Sequence, residues 1–259
     1  MKSDRLQSLI SRLSIVRTLT LAEAMDLLDV SESTARRMFA ELEHSGVAIR
    51  VHGGIRCIEQ APTTYSFEFG AQMNIDKKAA IAATACDYLE DGDVIFCDSG
   101  TTIQCFCAEL VRRLRKDKLN IKVYTNSLAN LELLSAYIPV HLVGGEYRAN
   151  RKDFCGFLAE QALRGVYFTK SFVGADGCVD AKIFTTTDFE TMRMNEIAMN
   201  NSRKTYMLTD SSKFSLSSHV AYAPVERIDT IVTDDGVPDC IVRKLEESGT
   251  NVVCVPINT

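Results

Sequence analysis

From about residue 76 to residue 255, short apolar runs alternate with helical segments, and most of the runs end in a small polar loop. Helices are expected over 76–89, 103–116, 128–136, 157–163, 188–200 and 238–247. Strands are expected over 94–97, 121–125, 140–143, 171–174, 206–209, 230–233 and 252–255. A strand followed by a helix returns beside its predecessor in parallel, so this alternation predicts an open, mostly parallel α/β sheet with helices on its faces.

In such sheets ligands collect outside the carboxyl ends of the strands. Five loops fall there: Asp98-Ser99-Gly100-Thr101-Thr102, Thr125-Asn126-Ser127, Gly144-Gly145-Glu146-Tyr147-Arg148, Gly174-Ala175-Asp176-Gly177 and Asp210-Ser211-Ser212-Lys213-Phe214. Each is also made of ordinary turn formers, so the signal lies in their convergence on one crevice. The first loop opens a helix, where hydroxyls and amides can hold a phosphate against the positive helix end. It is neither a P-loop nor a dinucleotide-binding glycine motif, which disfavours ATP and dinucleotides and leaves a monophosphate on a small polyol. Lys78 and Lys213 can add positive charge, although exposure is the default for a lysine. No cofactor is implied.

The first 58 residues form a separate pattern. Leu6, Leu9, Ile10 and Leu13 repeat at helical spacing, with Ser3 as a cap. A β-branched stretch over 15–19 leads to Thr20 and Glu23 in capping-box spacing, and Ser31 opens a third helix that Gly46 ends. On that helix Ala35, Met38, Phe39 and Leu42 gather on one side, and Ser33, Arg36, Arg37, Ala40 and His44 on the other. The second face suits a DNA major groove, and it is also what a solvated helix presents. Val47, Ile49 and Val51 then alternate with Ala48, Arg50 and His52 before a Gly53-Gly54 turn and a return strand over 55–58. This hairpin reads as a wing carrying Arg50, His52 and Arg56 beside the third helix. Residues 59–75 read as a linker and join, and 76–259 as the second domain.

The net charge of −5 excludes indiscriminate polyanion binding, so any DNA contact is local. Even over the first sixty residues the basic side chains are matched one for one by acids. None of the nine cysteines forms a C-x-x-C, and no secretion signal accompanies them, so they are expected reduced, with no metal site. Cys97 and Cys254 read as small core residues. No apolar run is long enough for a bilayer, which places the chain in the cytoplasm, away from the membrane.

Ser31 to Leu42, followed by Gly46, Arg50 and His52-Gly53-Gly54, resembles the DNA-binding end of the DeoR family of bacterial sugar-metabolism regulators, with its Ser-x-x-Thr-x-Arg-Arg helix and Gly-Gly wing. Ala35 and Met38 depart from the family's usual isoleucine and aspartate. The resemblance implies that Ser31, Ser33, Thr34, Arg36, Arg37, Arg50, His52 and Gly53 meet double-stranded operator DNA. The later loops resemble the family's effector domain, of the ribose-5-phosphate isomerase/NagB-like type. By that resemblance Asp98, Ser99, Gly100, Thr101, Thr102 and Lys213 hold a sugar phosphate, with Lys78, Asn126 and Asp176 at its edge. Residues 183–187 lack the Gly-Leu that usually precedes the two threonines. A repressor working as a homo-oligomer, dimer or tetramer, is implied. Two alternatives are a sugar-phosphate isomerase with an accessory winged helix and a protein-interaction module. Against the isomerase, Val173 and Gly177 stand where the isomerase loop has acids, leaving only Asp176.

Overall fold

A computed structural model describes residues 2–16, 18–44, 48–57, 65–117 and 119–257. The chain divides into two compact units, Met1–Met73 and Asn74–Thr259. Gly46, Val47, Ile58 and residues 59–64 lie outside the described residues, as do the side chains of Ser3, Ile15 and His44.

The first unit runs α1 (Lys2–Val16), β1 (Thr18–Thr20), α2 (Leu21–Leu28), α3 (Glu32–His44), β2 (Ala48–Val51), β3 (Gly54–Cys57) and α4 (Phe67–Gln72). The β-branched stretch over 15–19 is divided: α1 continues through Val16, and the extended segment is Thr18–Thr20. The Thr20–Glu23 capping box is present, each side chain satisfying an amide at the start of α2. Leu6, Leu9, Leu13, Leu28, Met38, Phe39, Leu42 and Ile55 close over one apolar core. Phe69 and Met73 pack against it as well, so the end of the expected join is a helix serving this unit.

β1, β3 and β2 form an antiparallel sheet in that order. The two wing glycines have separate reasons. Gly53 turns the hairpin at φ +75°, in the left-handed region. A Cβ on Gly54 would stand 2.3 Å from the Leu19 carbonyl oxygen, so β1 closes on the wing only over a glycine.

The second unit runs α5 (Ile75–Cys86), β4 (Val94–Cys97), α6 (Thr101–Lys116), β5 (Lys122–Thr125), α7 (Leu128–Leu134), β6 (Val140–Leu142), β7 (Glu146–Arg148), β8 (Asp153–Cys155), α8 (Phe157–Arg164), β9 (Phe168–Val173), β10 (Gly177–Val179), β11 (Ile183–Thr186), α9 (Phe189–Asn200), β12 (Ser202–Leu208), β13 (Val220–Pro224), β14 (Thr230–Asp234), α10 (Asp239–Glu247) and β15 (Asn251–Val255). Seven strands pair in the order β15-β14-β12-β9-β4-β5-β6, all parallel. Both faces are buried. Ile95 and Cys97 face a core with Ile81, Ile103, Phe106 and Leu110, while Phe96 between them faces Ala159, Leu163, Met194 and Ala198.

Two smaller sheets depart from the expected alternation. β7 and β8 form an antiparallel hairpin, and β10, β11 and β13 a second antiparallel sheet. Glu146, Tyr147 and Arg148, expected in a loop, therefore form a strand facing Asp153–Cys155. Cys97 is fully buried as expected, but Cys254 is exposed, because β15 is the edge strand of the sheet. Among the described residues, no helix is long and apolar enough to cross a membrane, and no group of metal-ligating side chains occurs.

Candidate functional site

On α3 the expected two faces are realised. Ala35, Met38, Phe39 and Leu42 are buried, whereas Ser33, Arg36, Arg37 and Ala40 are exposed. The Ser31 hydroxyl exchanges 3.1 Å hydrogen bonds with Ser33 and Thr34, clustering three hydroxyls at the start of the helix. Two of the arginines are already paired. Arg36 meets Glu32 at 2.7 Å one turn away, and Arg50 on β2 meets Glu43 at 2.6 Å. Arg50 holds the Glu43 carboxyl below its usual range, through its backbone amide first and its guanidinium second. Arg37 takes no ion pair among the described residues. His52 and Gly53 form the exposed wing tip.

In the second unit the loop Asp98 to Thr102 leaves β4 and opens α6. Gly100 caps that helix without any side-chain acceptor, so the first-turn amides are left facing the loop. Thr101 and Thr102 are buried there. Lys78, read as a charge at the edge of the phosphate site although exposure is a lysine's default, is 3% exposed and donates to Thr101 Oγ1 at 3.0 Å. Burial lowers its pKa to about 8, with the nearby charge of Lys213 acting in the same direction and Asp210 opposing. Lys78 and Thr101 are thus in contact, with the charge of Lys213 near them.

Asp98 is buried and accepts from two amides, Ser99 at 2.6 Å and Gly174 at 3.1 Å. Burial raises its pKa against those bonds. Ser99 Oγ donates to Asp153 at 3.0 Å, and Asn126 Nδ2 to the Phe154 carbonyl at 3.0 Å. Asp176 accepts from the Thr186 hydroxyl and the Thr187 amide, each at 3.1 Å. The Asp98–Thr102, Asn126 and Gly174–Asp176 loops therefore meet around Asp98.

Sequence reasoning missed the charged ring beside this crevice. Asp153 is fully buried and receives Arg148 through two bonds, 2.8 and 2.7 Å, with Arg151 at 3.6 Å. Both arginines reach on to Asp188, the N-cap of α9, at 2.8 and 3.1 Å. Burial alone would raise the Asp188 carboxyl, but Arg151, the Thr191 amide and Arg148 hold it at about 2. The cluster of Arg148, Arg151 and Asp153 within six residues was the available signal, and only the β7–β8 hairpin gives it meaning. Asn130, Tyr222 and Asn195 were missed too. Asn130 Nδ2 donates to the Asp98 carbonyl at 2.9 Å, and the Tyr222 hydroxyl donates to the Gly174 carbonyl.

A helical unit with a wing, followed by a parallel-sheet unit whose first post-strand loop opens a helix, is the architecture of a helix-turn-helix regulator with a sensor domain. A family model for the DeoR-like helix-turn-helix domain matches residues 5–61, and one for the DeoR C-terminal sensor domain matches residues 73–235. The chain belongs to the DeoR family. It is similar to the lactose phosphotransferase system repressor of Lactococcus lactis subsp. lactis, 34% identical over 239 residues that cover 91% of this chain and 92% of that one. The HTH-type transcriptional regulator IolR of Bacillus subtilis (strain 168) is 29% identical over 241 residues, 92% and 94% of the two chains. Among solved structures, ribose 5-phosphate isomerase A from Methanocaldococcus jannaschii aligns over 55% of each chain at 23% identity and a TM-score of 0.42. Membership of this family makes the chain a DNA-binding regulator rather than an isomerase.

Proposed function

We propose that this regulator represses a carbohydrate-utilisation operon from the cytoplasm, with its grip on operator DNA set by a phosphorylated sugar. The carrying observation is the start of α6: amides without a side-chain cap, two buried threonines, and a buried Lys78 3.0 Å from Thr101. Amides and hydroxyls donate, a helix N-terminus favours anions, and Lys78 and Lys213 supply charge, which together suit a phosphate dianion. Asp98, Ser99, Asn126 and Asp176 then line the side that meets the sugar. Relatives named for a lactose phosphotransferase system support a phosphorylated carbohydrate as the signal.

On the DNA side, Arg36 and Arg37 enter the major groove. Ser31, Ser33 and Thr34 meet the backbone at the helix start, and Arg50, His52 and Gly53 meet it from the wing. The protein acts as a homo-oligomer, dimer or tetramer, because paired recognition helices match paired half-sites and multiply affinity. A thermal-shift screen with phosphorylated sugars tests the sensor, since a ligand that prefers the folded chain raises its melting temperature. The expected result is a rise with one sugar phosphate, lost in Asp98→Ala while operator binding is kept. Wild-type induction in Asp98→Ala would move the site elsewhere.

A further inference from the structure

The polar atoms of the crevice divide by hydrogen-bonding sense. At the start of α6 the groups are donors: amides, two hydroxyls and an ammonium. Around Asp98 the remaining atoms are amides of asparagine. Asn126 Oδ1, Asn130 Oδ1 and both amide atoms of Asn195 are buried and complete no hydrogen bond among the described residues. The orientation of the first two is fixed by their partners. Asn130 Nδ2 is held by the Asp98 carbonyl and Thr125 Oγ1 at 2.9 and 3.2 Å, and Asn126 Nδ2 by the Phe154 carbonyl, so a carbonyl oxygen is left over in each.

Asn195 is linked to the same loops through Tyr222, whose hydroxyl neighbours it. Asp188, Thr191 and Asn195 fall at i, i+3 and i+7 along α9 and share its inner face. The first two are engaged by Arg148, at 2.8 and 3.1 Å. Asn195, one turn further and 1% exposed, lies against the Tyr222 hydroxyl, which donates to the Gly174 carbonyl and keeps its lone pairs toward the Asn195 amide. The Gly174 amide in turn donates to Asp98. Asn130, Asp98, Gly174, Tyr222 and Asn195 thus form one connected line across the crevice.

A phosphate oxygen only accepts, so it cannot satisfy a carboxamide carbonyl. A hydroxyl both donates and accepts. We propose that Asn126, Asn130 and Asn195 form a hydroxyl-reading subsite beside Asp98, with Asn195 accepting from a sugar hydroxyl through its amide oxygen. The inference rests on the sugar-phosphate reading above and makes a polyhydroxylated carbon chain, rather than a phosphorylated acid, the ligand class. It separates from a purely structural role by sign, because a buried amide without partners destabilises the fold that keeps it.

The test compares the full chain with Asn195→Leu, and with Asn195→Ala should leucine not fit. Melting temperature is measured alone, then with inorganic phosphate, with the sugar phosphate that shifts the wild type most, and with its deoxy analogues. The expected variant melts at or above the wild-type temperature and keeps inorganic-phosphate affinity within about twofold. It loses about tenfold or more for the sugar phosphate and no longer separates it from one deoxy analogue. Unchanged sugar affinity and unchanged discrimination in the variant overturn the subsite. So does a wild type that binds phosphate but prefers no hydroxylated ligand. A wild type that binds neither phosphate nor any sugar phosphate removes the sensor reading itself, and the subsite with it.

Discussion

Both units of this chain pair arginine with a carboxylate, and the two sets of pairs serve opposite ends. On the proposed DNA face Arg36–Glu32 and Arg50–Glu43 stand in water, with the arginine side chains 65% and 55% exposed. Beside the crevice Arg148–Asp153 sits with side-chain exposures of 17% and 0%. Water screens an exposed pair almost to neutrality, so an arginine there exchanges its glutamate for a DNA phosphate at little cost. Inside, removing one partner strands the other charge in a poor solvent. The exposed pairs part at little cost, and the buried ring holds the fold.

The harshest test of that contrast is Asp153→Ala. It removes the buried carboxylate that Arg148 and Arg151 share, and the expected loss is about 3–5 kcal/mol of unfolding free energy, read by urea titration. A loss no larger than that of a surface substitution would place the ring with the exposed pairs. Arg37→Ala is the mirror case. Stability should stay within about 0.5 kcal/mol, while operator binding weakens by about 1–3 kcal/mol and the salt dependence flattens. An unchanged gel shift would take α3 out of the groove.

How much of this contrast was legible in the sequence follows the range of the interactions involved. The loop Asp98 to Thr102, the capping box at Thr20 and the two faces of α3 are decided within a few residues, by period and turn chemistry, and they read correctly. The buried ring joins Arg148 to Asp188 across forty positions, through a hairpin too short to show a period. Asn195 gives no signal of its own in mid-helix, and its burial comes from the packing of α9, where β13 brings Tyr222 against it. Cys254 failed for the same reason in reverse: an apolar run does not reveal that its strand is the last in the sheet.

Lys78 lies between the two extremes, a buried cation at the proposed phosphate end of the sensor. With its pKa lowered to about 8, the folded chain binds fewer protons than the unfolded chain from about pH 8 to the usual lysine range. Its contribution to stability therefore rises with pH over that window. Affinity for a phosphate should fall over the same window, about tenfold per pH unit once Lys78 is neutral. Calorimetry of wild type and Lys78→Met in buffers of different ionisation enthalpy checks both signs. Proton uptake on binding near pH 8 is expected in the wild type alone. Sugar-phosphate affinity that stays level through pH 9 would separate Lys78 from the phosphate.

The smallest effect is expected where the comparison is most delicate, at Glu32. Glu32→Gln removes the partner of Arg36 and an acid from the first turn of α3, and both changes are worth only a few tenths of a kcal/mol in stability. The released guanidinium no longer has to leave a carboxylate before meeting DNA, and the repulsion between that carboxylate and the phosphates disappears as well. Non-specific DNA binding at low salt should therefore tighten about two- to threefold, with the gain shrinking as salt screens both terms. Weaker binding instead would mean that Glu32 aims Arg36 rather than holding it in reserve, and the exposed pair would then belong, like the buried one, to the architecture of its site.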